Sequence, residues 1–576
     1  MLTEAIYHQP MSNYCYAYDA DNVHIRIRTA IKDFTEIKVF YKDKFDWTQH
    51  GCVTMLHELS DEEFDYYIAR VPMIKRLTYY FLLRANDAES YFTQYGVKEQ
   101  VDDKLSFQFC FQYPYIYASD IHRPPAWVKD TVFYEIFVDR FFAAPTPIRK
   151  NVEVWGKKPA YDNHFGGNLE GICSRLDYLK GLGITGIYLT PIFRSDSNHK
   201  YDTIDFREID PDFGDLETLK RLVCSCHDRG IKVILDGVFN HCSYRLKQFQ
   251  DVLEKGERSE YFAWFCYKNN GLCFEKRGYE TYSMTEDMPK LDTSNAEVQE
   301  YLLSIAEYWT RNADIDGWRL DVGDELCQEF IRKLRKRLKG LKPDLYILGE
   351  CWYNGYPWLK GDQFDGIMNY QLTAACDGFF AEGTQSIRQF KNTVSRIRIQ
   401  YTCQVNQVNL NLLDSHDTRR FLTKCGEDER KLLLALTFLL TYDGVPCIYY
   451  GTETGMKGGE DPDCRRCFDW NMEQRDMKIY QKIKKLIEIR SQYDCLRKGE
   501  FKWGESKQTL CYERRYGEEK VVVVINNSAG EIVLRPEKEW KGYVDLLTGK
   551  NLCETTIIPE MSSMIIINKP KEDKYI

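Results

Sequence analysis

The sequence predicts a three-part α/β protein: a (β/α)8 TIM barrel with an inserted subdomain after its third strand, flanked by an N-terminal and a C-terminal β-sandwich. Three observations predict it. Eight apolar runs alternate with amphipathic helical stretches from about residue 130, the rhythm of a closed parallel barrel. The segments on either side alternate apolar and polar residues like half-buried strands. Several of the eight runs end in carboxylates, where a barrel gathers its chemistry.

Taken in order, "NVHIRIRTA" and "TYYFLLRA" have the period of strands, which assigns a β-sandwich to residues 1–122. "YIYASDIHRPPAW" follows, and Pro124 and Pro125 stiffen it into an extended connection. The barrel is expected over 123–497. Its strands are read in "TVFYEIFVDRF", "GITGIYLTPIF", "IKVILDGVFNH", "IDGWRLDV", "LYILGE", "FDGIMNY", "VNLNLLDSHD" and "GVPCIYYGTE". Helices such as "LETLKRLVCSCHDRG" and "AEVQEYLLSIAEYWTRNAD" separate them. Residues 242–293 are too long for an ordinary βα loop and mark the inserted subdomain. Over 498–576, "TLCYERR", "KVVVVINN" and "SSMIIIN" return to strand patterning, the C-terminal β-sandwich.

Composition excludes several function classes. The 576 residues are 43% hydrophobic and 14% aromatic, ample for several packed cores. The net charge of -9 carries no basic run of the kind that follows phosphates, so no nucleic-acid partner is expected. The N-terminal residues have no basic stretch followed by an apolar one, and no apolar run is long enough to span a bilayer. A cytoplasmic protein without a membrane partner is expected. Twenty scattered cysteines fit reduced thiols. Cys464 and Cys467 form one C-x-x-C without the second pair that a zinc site wants or the context of a redox motif. The 40 tyrosines suit flat polar ligands such as sugars, and equally suit sheets and interfaces.

At the strand ends stand Asp236, Asn240 and His241, then Arg319 and Asp321, then Glu350, then His416 and Asp417. One acid at a strand end is ordinarily a loop cap. Acids converging with two histidines and an arginine point to catalysis. Such a set also suits a di-metal hydrolase, but H-E-x-x-H is absent and an arginine on the ligand face opposes a cation. No catalytic metal is expected. Paired carboxylates without metal suit glycoside hydrolysis. Arg319 and Asp321, two apart on a strand, share one face, and burying that pair has a desolvation cost that apolar residues would avoid.

"DGVFNH", "GWRLD", "GECW" and "LLDSHD" together resemble the α-amylase family, glycoside hydrolase family 13, in the family's order. "SNHKYDTIDFREIDPDFGD", "MPKLD" and "DPDCRR" resemble its neopullulanase, cyclomaltodextrinase and maltogenic amylase branch. The resemblance implies that Asp321 is the nucleophile, Glu350 the general acid/base, and Asp417 the acid that grips sugar hydroxyls. It implies that Arg319 holds Asp321 ionised, that Trp352 helps wall Glu350, and that His241 and His416 bond sugar hydroxyls. Tyr201 would stack on the reacting sugar, and Asp461 and Arg465 would hold the next one.

A retaining α-glucan hydrolase is implied, cleaving α-1,4 and conceivably α-1,6 bonds of cyclodextrins, maltodextrins and pullulan. Transglycosylation or α-1,6 specificity within the family, and a non-catalytic amylase-fold subunit, stay open as alternatives. The branch's N-terminal module implies a homodimer; the aromatics of "TYYFLL" and "YFTQYG" exceed what one small sandwich core obviously needs, so some are expected to face the partner, the alternative being that they fill the sandwich and its contact with its own barrel. Four places depart from the family pattern. "GDE" follows Asp321 where Ala-Asn-Glu is usual, and Arg419 stands where Glu is usual, which bears on bond preference. "FAAPTPIRKN" and Asn168 replace the family's calcium cluster, so no cofactor is expected to be required.

Overall fold

The computed structural model describes residues 1–85, 88–100, 108–145, 152–268, 278–471, 477–534, 542–553 and 555–568. Short β-rich runs pair in parallel because each is followed by a helix that carries the chain back across the sheet. The barrel strands are β1 (Phe133–Ile136), β2 (Gly186–Leu189), β3 (Lys232–Gly237), β4 (Gly317–Leu320), β5 (Tyr346–Gly349), β6 (Gly366–Ile367), β7 (Leu410–Asn411) and β8 (Val445–Tyr449). β8 pairs back onto β1, and the Met368–Leu410 bridge joins β6 to β7. All eight sequence runs thus hold a barrel strand. Their near-continuous apolar character follows from burial on both faces.

Phe133, Tyr188, Ile234, Tyr346, Leu348 and Leu410 belong to one buried cluster inside the barrel. Trp127 packs against it, 6.1 Å from the Tyr346 ring, with its indole N–H donated to Asp344 O. The connection after Pro125 is therefore docked rather than a free spacer. His122 reinforces this, with Nε2 2.9 Å from Asp365 O.

Before the barrel, strands Cys15–Ala17, Asn22–Ala30, Phe64–Pro72 and Leu56–Ser60 form one sheet. The facing sheet is built on Glu36–Asp43 and Leu77–Ala85. Tyr79 and Phe81 of "TYYFLL" are buried between them. Alternation points these two rings into the sandwich, while Tyr80 between them is half-buried. Of "YFTQYG", Tyr95 is exposed, as are Phe45 and Trp47 of a neighbouring loop. After the barrel, Leu510–Tyr516, Glu519–Asn526 and Ser562–Ile567 lie side by side in a five-stranded antiparallel sheet, with a separate two-stranded ribbon.

Within 242–293, helix Lys247–Lys255 leads into short pairings of Phe265 with Leu291 and of Thr281 with Pro289, while 269–277 lie outside the described residues. His241 itself pairs with Lys290. The insertion therefore returns to the barrel mouth.

Candidate active site

β3, β4 and β5 end at the same level, and their register places Asp236 beside Arg319 and Leu320 beside Gly349. Asp321 and Glu350 are the next residues after β4 and β5, so both carboxyls leave the barrel together. One guanidinium collects them. Arg319 Nη1 donates to Asp321 Oδ1 at 2.7 Å and to both Asp236 oxygens at 2.9 Å. Its Nη2 lies 2.9 Å from Glu350 Oε2, close enough for ion pairing though out of line for a hydrogen bond. Arg319, Asp236, Asp321 and Glu350 are all buried.

Three acids therefore share one arginine. Burial pushes the Asp321 carboxyl well above the usual carboxylate range; Arg319 opposes this, and the Glu350 and Asp236 charges add to it. Asp236 is raised too, by burial, against Arg319 and a hydrogen bond from Tyr188. The expectation that Arg319 simply holds Asp321 ionised is corrected here. Arg319 does draw the Asp321 carboxyl down, but one guanidinium divided among three carboxylates does not offset its burial.

Glu350 is held from two further sides. Val322 N–H donates to its Oε2 at 2.8 Å, and Trp352 Nε1 donates to its Oε1 at 3.1 Å. Trp352 is half exposed and stacks on Tyr370 at 3.7 Å, so it acts on Glu350 as a donor and not only as an apolar wall. Val322 has φ 45°, a left-handed conformation that a β-branched residue resists. Strain of this kind persists only where the surroundings fix it, and here it turns the Val322 N–H onto Glu350.

The two histidines differ. His241 is buried, with Nε2 3.9 Å from Asp321 Oδ2 and no hydrogen-bond partner among the described residues. Burial, helped by Lys290, pushes its pKa down to about 3, so the ring is neutral and holds a free polar atom beside Asp321. Tyr282 of the insertion stacks on it at 4.7 Å. His416 has both nitrogens engaged: Nδ1 with Glu135 at 2.5 Å, and Nε2 with Tyr201 OH at 2.6 Å and Asp417 at 3.0 Å. Burial favours its neutral form, but Asp417 and Glu135 overcome that and raise its pKa. Asp417 is lowered in turn; burial opposes this and is outweighed by His416 and Arg465.

Tyr201 donates to Asp236 at 2.9 Å, and its ring stacks on His416 at 5.4 Å. Arg465 Nη2 lies 3.2 Å from Asp417, and its Nη1 3.0 Å from Asp461. The ten residues to which the resemblance gives a role thus join one connected cluster. Sequence reasoning missed Glu135, Tyr188, Tyr282 and Tyr370. A charged residue inside the apolar "FYEIF" run was the available signal for Glu135; Tyr282 gave none, because its contact depends on how the insertion folds back.

Residues 135–507 match the family described as alpha amylase, catalytic domain, and residues 1–117 match the alpha amylase N-terminal Ig-like domain. The chain belongs to the α-amylase family. It is a glycoside hydrolase. Among similar proteins, a cyclomaltodextrinase of Geobacillus thermopakistaniensis is 45% identical over 564 residues, 96% of each chain. Neopullulanase 2 of Thermoactinomyces vulgaris is 41% identical over 567 residues, again 96% of each. The solved structure of a cyclomaltodextrinase matches with a TM-score of 0.93 at 38% identity, covering 98% of this chain and 100% of that one.

Within this α-amylase family fold, the positions that depart from the pattern have defined partners. Asp324 hydrogen-bonds Tyr353 and Arg419 pairs with Glu460 at 2.6 Å, while Glu325, which keeps the pattern, pairs with Lys290 at 2.7 Å. All three lie beside active-site loops. At the calcium position, Asn168 Oδ1 accepts from Gly171 N–H as a helix cap, and its Nδ2 donates to Ala144 O and Gly166 O. The Asn168 side chain thus spends its oxygen on the helix start and its amide on two loop carbonyls. Residues 146–151 of "FAAPTPIRKN" lie outside the described residues.

Proposed function

We propose that the chain hydrolyses α-1,4 glucosidic bonds of cyclodextrins, short maltodextrins and pullulan with retention of the α-anomer. The carrying observation is Arg319, which contacts both Asp321 and Glu350 and so holds two carboxyls across one small gap. Asp321 attacks the anomeric carbon while Glu350 protonates the leaving oxygen, giving a covalent glycosyl-enzyme; water, deprotonated by Glu350, then releases the sugar. Asp417 bonds sugar hydroxyls and stabilises the transition state. His241, through its free Nε2, takes a hydroxyl beside the nucleophile. Tyr201 faces the reacting sugar, Trp352 its leaving-group side, and Asp461 with Arg465 the next unit. His416, with both nitrogens occupied, serves chiefly to orient and charge-balance Asp417.

Asp321→Asn keeps the shape without the nucleophile, so kcat falls at least ~10^4-fold with an unchanged melting curve. Proton NMR of the first-formed product shows the α-anomer. Early β-anomer would refute retention. A digest of cyclodextrin, pullulan, starch and isomaltose separates this reading from transglycosylation and from α-1,6 specificity.

No cofactor is required in this reading, and turnover survives dialysis against EDTA. Free thiols and the lack of any helix long and apolar enough to cross a membrane, among the described residues, support a cytoplasmic setting that cell fractionation tests. A homodimer is supported by the exposed Phe45, Trp47 and Tyr95 rings, which the sandwich core does not use. Light scattering at micromolar concentration reads two chains, and a monomer with intact cyclodextrin preference overturns the assignment.

A further inference from the structure

Arg26 lies in the N-terminal sandwich, yet its guanidinium is 1% exposed and points out of that domain's sheet toward the barrel. Glu58 takes Nε and Nη2, both at 2.8 Å. Nη1 crosses the domain boundary to the carbonyl of Tyr401 at 2.7 Å and also reaches Asn13 O at 3.1 Å. A buried ion pair is a poor source of stability by itself, whereas a directed donor on a foreign carbonyl fixes position.

The other end of Tyr401 makes the contact of interest. Its buried hydroxyl accepts the N–H of Gly355 at 3.2 Å. Gly355 closes the short loop that begins at Glu350, and that loop carries Trp352, whose indole N–H is bonded to Glu350 Oε1. Glu350 is fixed at its own end by β4, through its N–H on Leu320 O at 3.0 Å. The loop between therefore has two anchors: the barrel at Glu350 and Tyr401 at Gly355.

We propose that Tyr401 is a positioning residue for the acid/base: held by Arg26 of the N-terminal domain, it pins Gly355 and so keeps the Trp352 donor on Glu350. The N-terminal domain thus serves proton transfer within its own chain, whatever part it has between chains. This rests on the reading of Glu350 as the acid/base.

The effect depends on the leaving group, because a sugar alkoxide needs protonation and a nitrophenolate does not. In the full-length enzyme, Tyr401→Phe removes the hydroxyl and keeps the ring. Its kcat falls about tenfold on maltotriose and less than about twofold on p-nitrophenyl α-maltoside, and the alkaline limb of kcat/KM on maltotriose moves by at least about half a pH unit. Arg26→Met breaks the carbonyl end, shows the same selectivity, and decides the matter if the first variant fails to fold. Equal losses on both substrates, or none on either, overturn the proposal. Glu350→Gln separates the two levels. If it retains maltotriose turnover, the acid/base reading itself fails; if it shows the selective loss while Tyr401→Phe and Arg26→Met do not, only the positioning role falls.

Discussion

The two ends of the barrel both bury acids beside cations, in opposite proportions. At the N-terminal end, Asp316 alone receives His227 at 2.7 Å, Lys232 at 3.0 Å and Lys342 at 3.2 Å, and Asp365 receives Arg335 and Lys339, each at 2.9 Å. Both acids are held below the ordinary range: burial opposes this, and the surrounding donors and cations outweigh it. At the C-terminal end, Asp236, Asp321 and Glu350 divide one Arg319. The same residue types thus give acids held below the usual carboxylate range at one end and acids raised above it by burial, Asp236 and Asp321, at the other. What distinguishes a catalytic cluster from a structural one is the ratio of cations to acids, not the presence of charge.

That contrast can be broken most forcefully at Arg319. Arg319→Lys keeps a charge but loses the planar fork that reaches several carboxylates at once, so kcat falls by ~10^2 to 10^3-fold, read in steady-state assays with circular dichroism as the control for folding. At the opposite end, Asp316→Asn leaves the part-exposed His227, Lys232 and Lys342 without their buried acid. Stability falls by about 1 to 2 kcal/mol in urea titration while kcat changes by less than about twofold. A loss of activity without a loss of stability there would show that the two ends are not separable in this way.

The smallest effect sharpens the comparison through pH. A nucleophile must be deprotonated, and the Asp321 carboxyl is raised, so its ionised fraction declines as pH falls through a value above the usual carboxylate range. The acid limb of kcat/KM accordingly has its midpoint above the usual carboxylate range.

The barrel was legible because burial on both faces leaves short apolar runs whose number and spacing survive without any contact information; "KVILDG" and "YILG" read as strands from composition alone. The acids were legible because they interrupt those runs at strand ends. Their charge states were not. Asp321 needs Asp236 and Glu350 counted against one guanidinium, and those neighbours come from other strands. Tyr79 and Phe81 illustrate the opposite case: aromatic abundance suggested an interface for some rings, while alternation already placed these two inside. Arg26 was also opaque, since nothing local tells a half-buried strand arginine from one that reaches 375 residues along the chain to Tyr401.

Lys290, at the end of the insertion, binds Asn240 beside β3 and Glu325 beyond β4. Three stretches far apart in the gene therefore meet on one ammonium. For inheritance this makes the insertion something other than a detachable cassette. A recombination that imports a foreign segment between residues 242 and 293 brings a new side chain to position 290, and it must suit a resident amide and a resident carboxylate that it did not evolve beside. One side chain ties positions 240, 290 and 325 together, so an imported segment is expected to preserve this lobe of the mouth only where it carries a cation at position 290.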